Sequence, residues 1–553
     1  MKLSTFFIFA AAASGGHNDF VWSLSSSSPT AVTQSKFWDN PAMVQQLSDP
    51  PPKEILEKIR INPWKGGLEP VPPEGIPLHE VEVVEGTIPK DLSGTIARNG
   101  PGRIRIGDQM YGHWFDGDGF ITSLKIDGKS NSASFAGAYV MTDRFLAQQS
   151  AGSSTFAAAG AWTKRGSGKW WQNLFAIPTN PANTNVLFLN DKTNKTRMYA
   201  VCEGGLPVEI DPTTLDTVGE ETFQNPTTSA KIAPFFSAHY SKDPITGLLY
   251  NHGIGLGPKI SLNLCKLDKA ELIKQSSTDL DSVTFVHDSV ISERYMTMIV
   301  QPYEAPSQNS LLTSLFGGKP LGSQFEWNPK GTQETMVYVF SKESLECEAK
   351  VSLPLLSTYH LVDSYEEDDL VTLRLYAYRP ASSRPELEAG FADMYGRMKR
   401  QPICRLVEYK FQVTGGSGKL ISEKEICQKE AGGELPDVNH SWPSYKKQFV
   451  YLNARQKDSD HLDSIQKIDM DRGDCSEVVS FGDGVYAGSP VFCPKENLQS
   501  EDDGYVLTQL YRSKDHGSDV AILDGKSMKK LAILRLQAPV PYQFHGVFQD
   551  SRS

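Results

Sequence analysis

One local pattern constrains this chain more than any other: a short apolar run, a turn opened by Asp or Ser, and a second apolar run. It recurs from about residue 80 onward. Pro207-Val-Glu-Ile210 turns at Asp211-Pro-Thr-Thr and resumes after Leu215. Val337-Tyr-Val-Phe340 turns at Ser341-Lys-Glu-Ser, residues 465–468 turn near Asp469-Met-Asp-Arg-Gly, and Val520-Ala-Ile-Leu523 turns at Asp524-Gly-Lys-Ser. The side chain that opens each turn can bond the backbone that follows it. Apolar runs separated in this way are paired strands. No strict repeat of roughly 20–50 residues is visible. Irregular hairpins over roughly 470 residues therefore predict an all-β fold, a β-propeller whose blades have diverged and taken insertions.

The length of 553 residues would by itself suggest three or four domains of ~150 residues. The continuous hairpin pattern argues instead for one propeller over residues 71–553. Helical signal is sparse, with short helices expected over residues 54–60 and 385–398. Two apolar stretches, 170–177 and 310–316, interrupt the β pattern. Both can be core. The alternative is an exposed patch carrying Trp170, Trp171, Leu174 and Phe175, which dips into a membrane surface or lines the way in for an oily ligand.

The N-terminus departs from the rest. Lys2 precedes an apolar stretch over residues 3–13, too short to span a bilayer, so residues 1–16 read as a signal peptide. Residues 17–70 read as a transit-like segment and linker, since 20–36 hold no acidic residue and positions 23–28 hold five serines. A two-part leader of this kind resembles that of proteins imported into the plastids of complex algae, and predicts a plastid destination. A plain signal followed by a linker predicts the secretory pathway instead, where the sequons at Asn194 and Asn439 would matter.

Composition removes several function classes. The net charge is −11, which leaves no electrostatic basis for nucleic-acid binding. Seven cysteines form no CxxC pair, so neither a disulfide scaffold nor a zinc ribbon is expected, and each reads as a buried thiol. HExxH, a complete phosphate loop and GxSxG are absent, and the glycine runs at 253–257 and 415–418 read as turns.

The remaining chemistry lies in eleven histidines. His239, His287, His360 and His545 each follow a short run that contains an aromatic residue. In a propeller, equivalent ends of inner strands converge on the axis, so imidazoles 48, 73 and 185 residues apart could meet there. Imidazole suits Fe, Zn, Cu and Ni. The other reading makes them strand-end histidines satisfied by their own blades. Phe236, Tyr359 and Phe544, beside these ligand candidates, are either tunnel wall or strand core.

Several segments bear on that choice. They are Gly86-Thr-Ile-Pro-Lys-Asp-Leu-Ser-Gly94, Arg98-Asn-Gly-Pro101, and His113-Trp-Phe-Asp-Gly-Asp-Gly119. Further along come Ala238-His239 with Asp243-Pro-Ile-Thr-Gly247, Phe285-Val-His-Asp288 with Glu293, His360 with Tyr365-Glu-Glu367, and Pro541-Tyr-Gln-Phe-His-Gly546. Together and in this order they resemble the carotenoid cleavage oxygenase family. The resemblance implies a seven-bladed β-propeller with a loop and helix cap over one face. It implies Fe(II) held on the axis by His239, His287, His360 and His545, and O2-dependent cleavage of a conjugated C=C bond in a carotenoid or apocarotenoid to two carbonyl products. The polyene and O2 are the implied partners.

The resemblance also implies glutamates that orient the ligands. Two match, Glu203 and Glu434, whereas the third position holds Ser489, beside what would be the His545 ligand. Asp363 stands where many relatives have Asn, a second departure that bears on rate and iron affinity. His113 belongs to the family pattern as strand and turn, not as a ligand. His252 and His440 remain the nearest substitutes. Cleavage of a stilbene-type alkene and retinoid isomerohydrolysis are alternatives on the same site, and a non-catalytic carotenoid-binding propeller is an alternative of another class.

Overall fold

The computed structural model describes residues 53, 57 and 60–551, apart from 108, 153–154, 257–259, 281–282, 306–307, 329–330, 333, 380–403 and 430. The signal peptide expected over residues 1–16, residues 17–52 of the transit-like segment and linker expected over 17–70, and the helix expected over 385–398 lie outside the described residues. Of the helix expected over 54–60, only Glu57 and Arg60 are described, and both are helical.

Seven antiparallel sheets of four or five strands form a seven-bladed β-propeller. The innermost strands, through which neighbouring blades touch, are His545–Asp550 in blade 1, Asn185–Asn190 in blade 2, Ser241–Lys242 in blade 3, Ser289–Ile291 in blade 4, Leu361–Glu367 in blade 5, Gly433–Asp437 in blade 6 and Val485–Pro494 in blade 7. Both ends of the described chain close the ring. The C-terminal His545–Asp550 supplies the inside of blade 1, pairing with Ser93–Arg103, while Ile76–Glu80 and Glu82–Gly86 supply the outer strands of blades 1 and 7.

The four hairpins read from the sequence are all present in register. Their turns share one geometry. The fifth residue donates its N–H to the carbonyl of the first in 211–215, 341–345, 469–473 and 524–528, and again in 243–247. That fifth residue has φ between 58° and 75°. In three turns it is Leu215, Leu345 or Met528, not glycine. A left-handed residue with a side chain costs roughly 1–2 kcal/mol. These three side chains are fully buried, and burial of a large aliphatic side chain contributes roughly 1.5–3 kcal/mol, which offsets the strain. Gly415 and Gly416 form a turn as expected, but Gly253 lies inside the strand Leu249–Leu256, where a Cβ would meet the Phe235 carbonyl oxygen at 2.2 Å.

Apolar layers lie between blades, not at one centre. Ile96, Phe120 and Leu124 of blade 1 pack with Val491, Leu507 and Leu534 of blade 7, and Val337 and Val339 of blade 4 pack with Leu373 and Phe411 of blade 5. Each blade is stabilised by its neighbours, which is why no domain boundary interrupts the pattern. All seven cysteines are free; five are buried, and Cys347 and Cys475 are half-buried instead. Asn439 is buried with its amide donating to the Glu501 carbonyl, so the second sequon has no accessible acceptor.

Strand direction alternates within a blade, so every inner strand starts at the same face. The long connections 140–184 and 301–333 cover that face and carry the helices Asp143–Ala151 and Gln308–Leu315. Asp116 pins the cap to blade 1: its carboxylate accepts from Ala161 N (2.8 Å), Trp162 N (2.9 Å) and Thr163 Oγ1 (2.6 Å).

Candidate metal centre

The four histidines sit at the same topological place. His239 and His287 precede their inner strands by two residues, His360 precedes its strand by one, and His545 opens its strand. The aromatic runs before them are therefore the loops that enter these strands, not the ends of strands as the sequence pattern suggested. Convergence of the inner strands brings the rings together. Ring centroids lie 4.2 Å apart for His239 and His287, 5.1 Å for His239 and His360, 4.7 Å for His239 and His545, and 4.9 Å for His360 and His545. His239, His287 and His360 present ligand atoms within 4.8 Å of one another, and His545 Nε2 lies 3.2 Å from His360 Nε2.

Carboxylates stand behind two of the rings, one half-buried and one buried. Glu203 Oε1 stands 2.9 Å from His287 Nδ1, off the line of a hydrogen bond, and Glu434 Oε2 accepts from His360 Nδ1. Glu434 also accepts from Leu435 N (2.6 Å) and Tyr378 Oη (3.2 Å). Burial opposes ionisation of both glutamates, but the facing imidazoles outweigh it and hold their pKa values below the usual range. For His360, burial lowers the pKa and Glu434 more than reverses it, so the net direction is upward. His239 and His545 are held well below the usual value, by burial first and then by the other imidazoles. Asp288 Oδ1 lies 4.0 Å from His239 Nδ1, and burial pushes that carboxyl up to about 6. The same carboxylate accepts from Ser289 N and Leu361 N, tying blade 4 to blade 5.

These residues fit a metal ion. With Nδ1–H of His360 engaged by Glu434, its Nε2 carries a lone pair, and that lone pair faces His545 Nε2. His239 Nε2 is buried without a hydrogen-bond partner. Lone pairs converging in a buried space repel unless a cation lies between them. Adjacent nitrogens on an ion at ~2.1 Å lie about 3 Å apart, close to the separation of the two Nε2 atoms. Four imidazoles and no thiolate match a site that keeps positions open for chemistry, not a closed structural zinc site.

A cavity of about 330 Å³ opens over this cluster beneath the cap. Its wall includes Trp114, Phe115, Trp162, Phe285, Tyr359 and Phe544, together with His287, His360 and His545. Tyr359 and Phe544 are thus placed as the sequence suggested. Phe236 is not: its ring packs into the core with Leu187, Tyr199 and Phe223, and its neighbour Phe235 lines the cavity instead. A one-residue step in an extended segment reverses the face, and no local signal distinguishes the two phenylalanines. His113 caps the short helical turn Trp114–Asp116, its Nδ1 accepting from Phe115 N, and lines the cavity, so it is not part of a strand.

The apolar stretches 170–177 and 310–316 join into one surface. Leu174 bridges Phe316, Phe175 N donates to the Leu315 carbonyl, and the Phe175 and Phe316 rings lie 5.8 Å apart. Trp170 is 58% exposed and Phe175 66%, with Trp171, Ile177, Leu312 and Phe316 also exposed and Leu174 half-buried. Ile177 belongs both to this patch and to the cavity wall.

Three other expectations change. Asp363 faces away from the metal cluster: it binds Arg374 with both oxygens and accepts from Lys447 N (2.7 Å), so it is a buried structural ion pair. His440 is exposed and pairs with Asp437, while His252 is bonded to Ser289 Oγ and the Val286 carbonyl, with burial holding it down to about 4. Ser489 takes hydrogen bonds from Arg98. Arg98, Asp288 and Tyr378 went unassigned from the sequence; the first two stood inside quoted segments, but nothing local gave them a role.

Comparison with known proteins agrees with this geometry. The family described as RPE65, retinal pigment epithelial membrane protein, matches residues 68–550. The chain is 27% identical over 502 residues to apocarotenoid-15,15'-oxygenase of Synechocystis, covering 87% of this chain and 95% of that protein. It is 25% identical over 513 residues to beta,beta-carotene 15,15'-dioxygenase of Gallus gallus, covering 84% and 94%. The solved structure of cobalt-substituted Synechocystis ACO is similar with a TM-score of 0.76 at 26% identity, covering 88% of this chain and 98% of that one.

Proposed function

This chain belongs to the RPE65, or carotenoid cleavage oxygenase, family, and on that premise we propose that it is a Fe(II)-dependent dioxygenase that cleaves a conjugated C=C bond of a carotenoid or apocarotenoid with O2. The single observation that carries the reading is the convergence of four imidazoles, two of them backed by carboxylates, on the floor of an aromatic-walled cavity. His239, His287, His360 and His545 would hold the ion. When bound, Fe(II) supplies the activation of O2 that no side chain can perform. Glu434 keeps the Nδ1 proton of His360 outward, so that its Nε2 lone pair stays available, and Glu203 places a negative charge beside His287 Nδ1. Phe115, Tyr359 and Phe544 offer flat faces that align a rigid polyene and exclude water from the reacting bond. The Asp116 anchor keeps the cap closed over that space. Anaerobic Fe(II) reconstitution, followed by aerobic incubation with a panel of carotenoids, apocarotenoids and stilbenes and mass identification of aldehydes, tests the proposal. Stoichiometric iron without any carbonyl product would favour a binding protein instead.

The exposed aromatic patch supports a second element of the reading, docking on a membrane from which an oily substrate enters past Ile177. Lys169 lies over the Trp171 ring at 5.2 Å, an aromatic–cation pairing suited to a headgroup layer. Among the described residues no helix is long and apolar enough to cross a membrane. Trp170→Glu/Phe175→Glu should float less with liposomes than the unaltered protein, and equal flotation would refute docking. Import into a plastid remains part of the proposal through residues 1–70, tested by fusing them to a fluorescent reporter; retention of the reporter in the secretory pathway would refute it.

A further inference from the structure

We propose that Arg98 and Ser489 set the charge of the metal centre and leave His545 as its most weakly held ligand. The inference rests on the metal reading above and concerns how this chain tunes that centre. Three of the four imidazoles have a carboxylate on their outer side: Glu203 for His287, Glu434 for His360, and Asp288, at 4.0 Å, for His239. Among the described residues, His545 has none.

Its neighbourhood holds a cation. In blade 1, Asn99 pairs with His545 and Arg98 pairs with Gly546, so the arginine belongs to the strand beside the fourth ligand. Arg98 is 6% exposed. Its Nη1 donates to Ser489 Oγ (2.9 Å), and its Nη2 donates to the carbonyls of Ser489 (2.7 Å) and Leu507 (3.1 Å). All three acceptors are neutral. The acid that influences it, Asp437, is engaged elsewhere, accepting from Phe492 N (2.6 Å) and facing His440 Nε2 (3.0 Å). A buried guanidinium is therefore satisfied in hydrogen bonds but not neutralised by an adjacent carboxylate.

A carboxylate at position 489 would meet that guanidinium with a charge-assisted pair. Ser489 keeps the hydrogen bond and omits the charge, so the surroundings of the ion are one unit more positive. Two positive charges in a poorly screened interior repel, and the repulsion grows with the charge of the bound ion. The site then binds a divalent ion less tightly than it would with Glu at 489, and a trivalent ion less tightly still. Ferrous iron is favoured over ferric. His545 would hold the ion without the carboxylate that strengthens an imidazole ligand.

The test compares the full-length protein with Ser489→Glu, Ser489→Gln and Arg98→Gln, by anaerobic Co(II) titration followed through the visible absorption of the bound ion and by redox titration of the iron-loaded forms. Glutamine matches glutamate in size without its charge. Ser489→Glu should bind Co(II) on the order of tenfold more tightly and show a lower ferric–ferrous midpoint, while Ser489→Gln stays close to the unaltered protein. Arg98→Gln removes the cation by another route and should shift both readouts in the same direction as Ser489→Glu. Equal affinities for the Glu and Gln variants, or no shift in Arg98→Gln, would overturn the inference while leaving the metal reading standing. Failure of the unaltered protein to bind Co(II) at all would instead overturn the metal reading.

Discussion

Exchanging Glu434 for Gln separates charge from geometry at the best-defined ligand. The carboxylate accepts from His360 Nδ1 and Leu435 N through Oε2, and from Tyr378 Oη through Oε1. A glutamine amide can place its oxygen where Oε2 stands and its NH2 toward Tyr378, whose hydroxyl turns to accept. The bonds from His360 Nδ1 and Leu435 N are kept and the one with Tyr378 reverses, so the main loss is the negative charge that strengthens the imidazole. Removing such a supporting group costs roughly 10–100-fold in metal affinity, which corresponds to about 1.4–2.7 kcal/mol. Glu434→Ala should cost more, because His360 Nδ1, Leu435 N and Tyr378 Oη are then all orphaned. Anaerobic Co(II) titration of the three proteins, with thermal melting as a check that each is folded, makes the comparison. Affinity of Glu434→Gln within twofold of the unaltered protein would refute a role for the charge. A loss equal to that of Glu434→Ala would show that the charge alone matters and that the retained shape contributes nothing.

Other perturbations test the scaffold. Asp363→Asn leaves the buried Arg374 guanidinium without its ion-pair partner, so the folded state should lose roughly 3–5 kcal/mol while Co(II) affinity is unchanged; a metal defect with normal melting would restore Asp363 to the site. Asp116→Ala removes three hydrogen bonds that hold residues 161–163, and amide exchange should quicken there and not in the blades; uniform exchange would refute the anchor. His461 is buried against Trp64 and held down to about 3 by burial. The unfolded chain therefore takes up a proton that the folded one refuses, so stability present above pH 6.5 is lost as pH falls toward 3. From pH 7 to 5 this amounts to about 2 kcal/mol, and His461→Phe should show a correspondingly smaller drop in denaturant unfolding; an equal drop would refute the assignment.

What was legible in the sequence had short range. Each hairpin turn is closed by hydrogen bonds within five residues, so Asp211, Ser341, Asp469 and Asp524 announced their turns without help from the rest of the chain. The four histidines could be singled out by context, but context alone left them between ligands and ordinary strand-end residues; family resemblance favoured the ligand reading. Glu203 and Glu434 followed from the same resemblance, and the structure puts both beside imidazoles.

The rest depended on ring closure. Inter-blade packing brings His360 to His545 across 185 residues and Arg98 to Ser489 across 391. It also selects Phe235 over Phe236 for the cavity, turns Asp363 toward Arg374, and merges two separate apolar stretches into one exposed surface. Residue types and local turns determined that this chain would build hairpins around a set of imidazoles. Which side chains face the axis, and which charges they meet there, was decided by how seven twisted sheets pack, because a contact between blades is set by their mutual orientation and leaves no periodic trace along the chain.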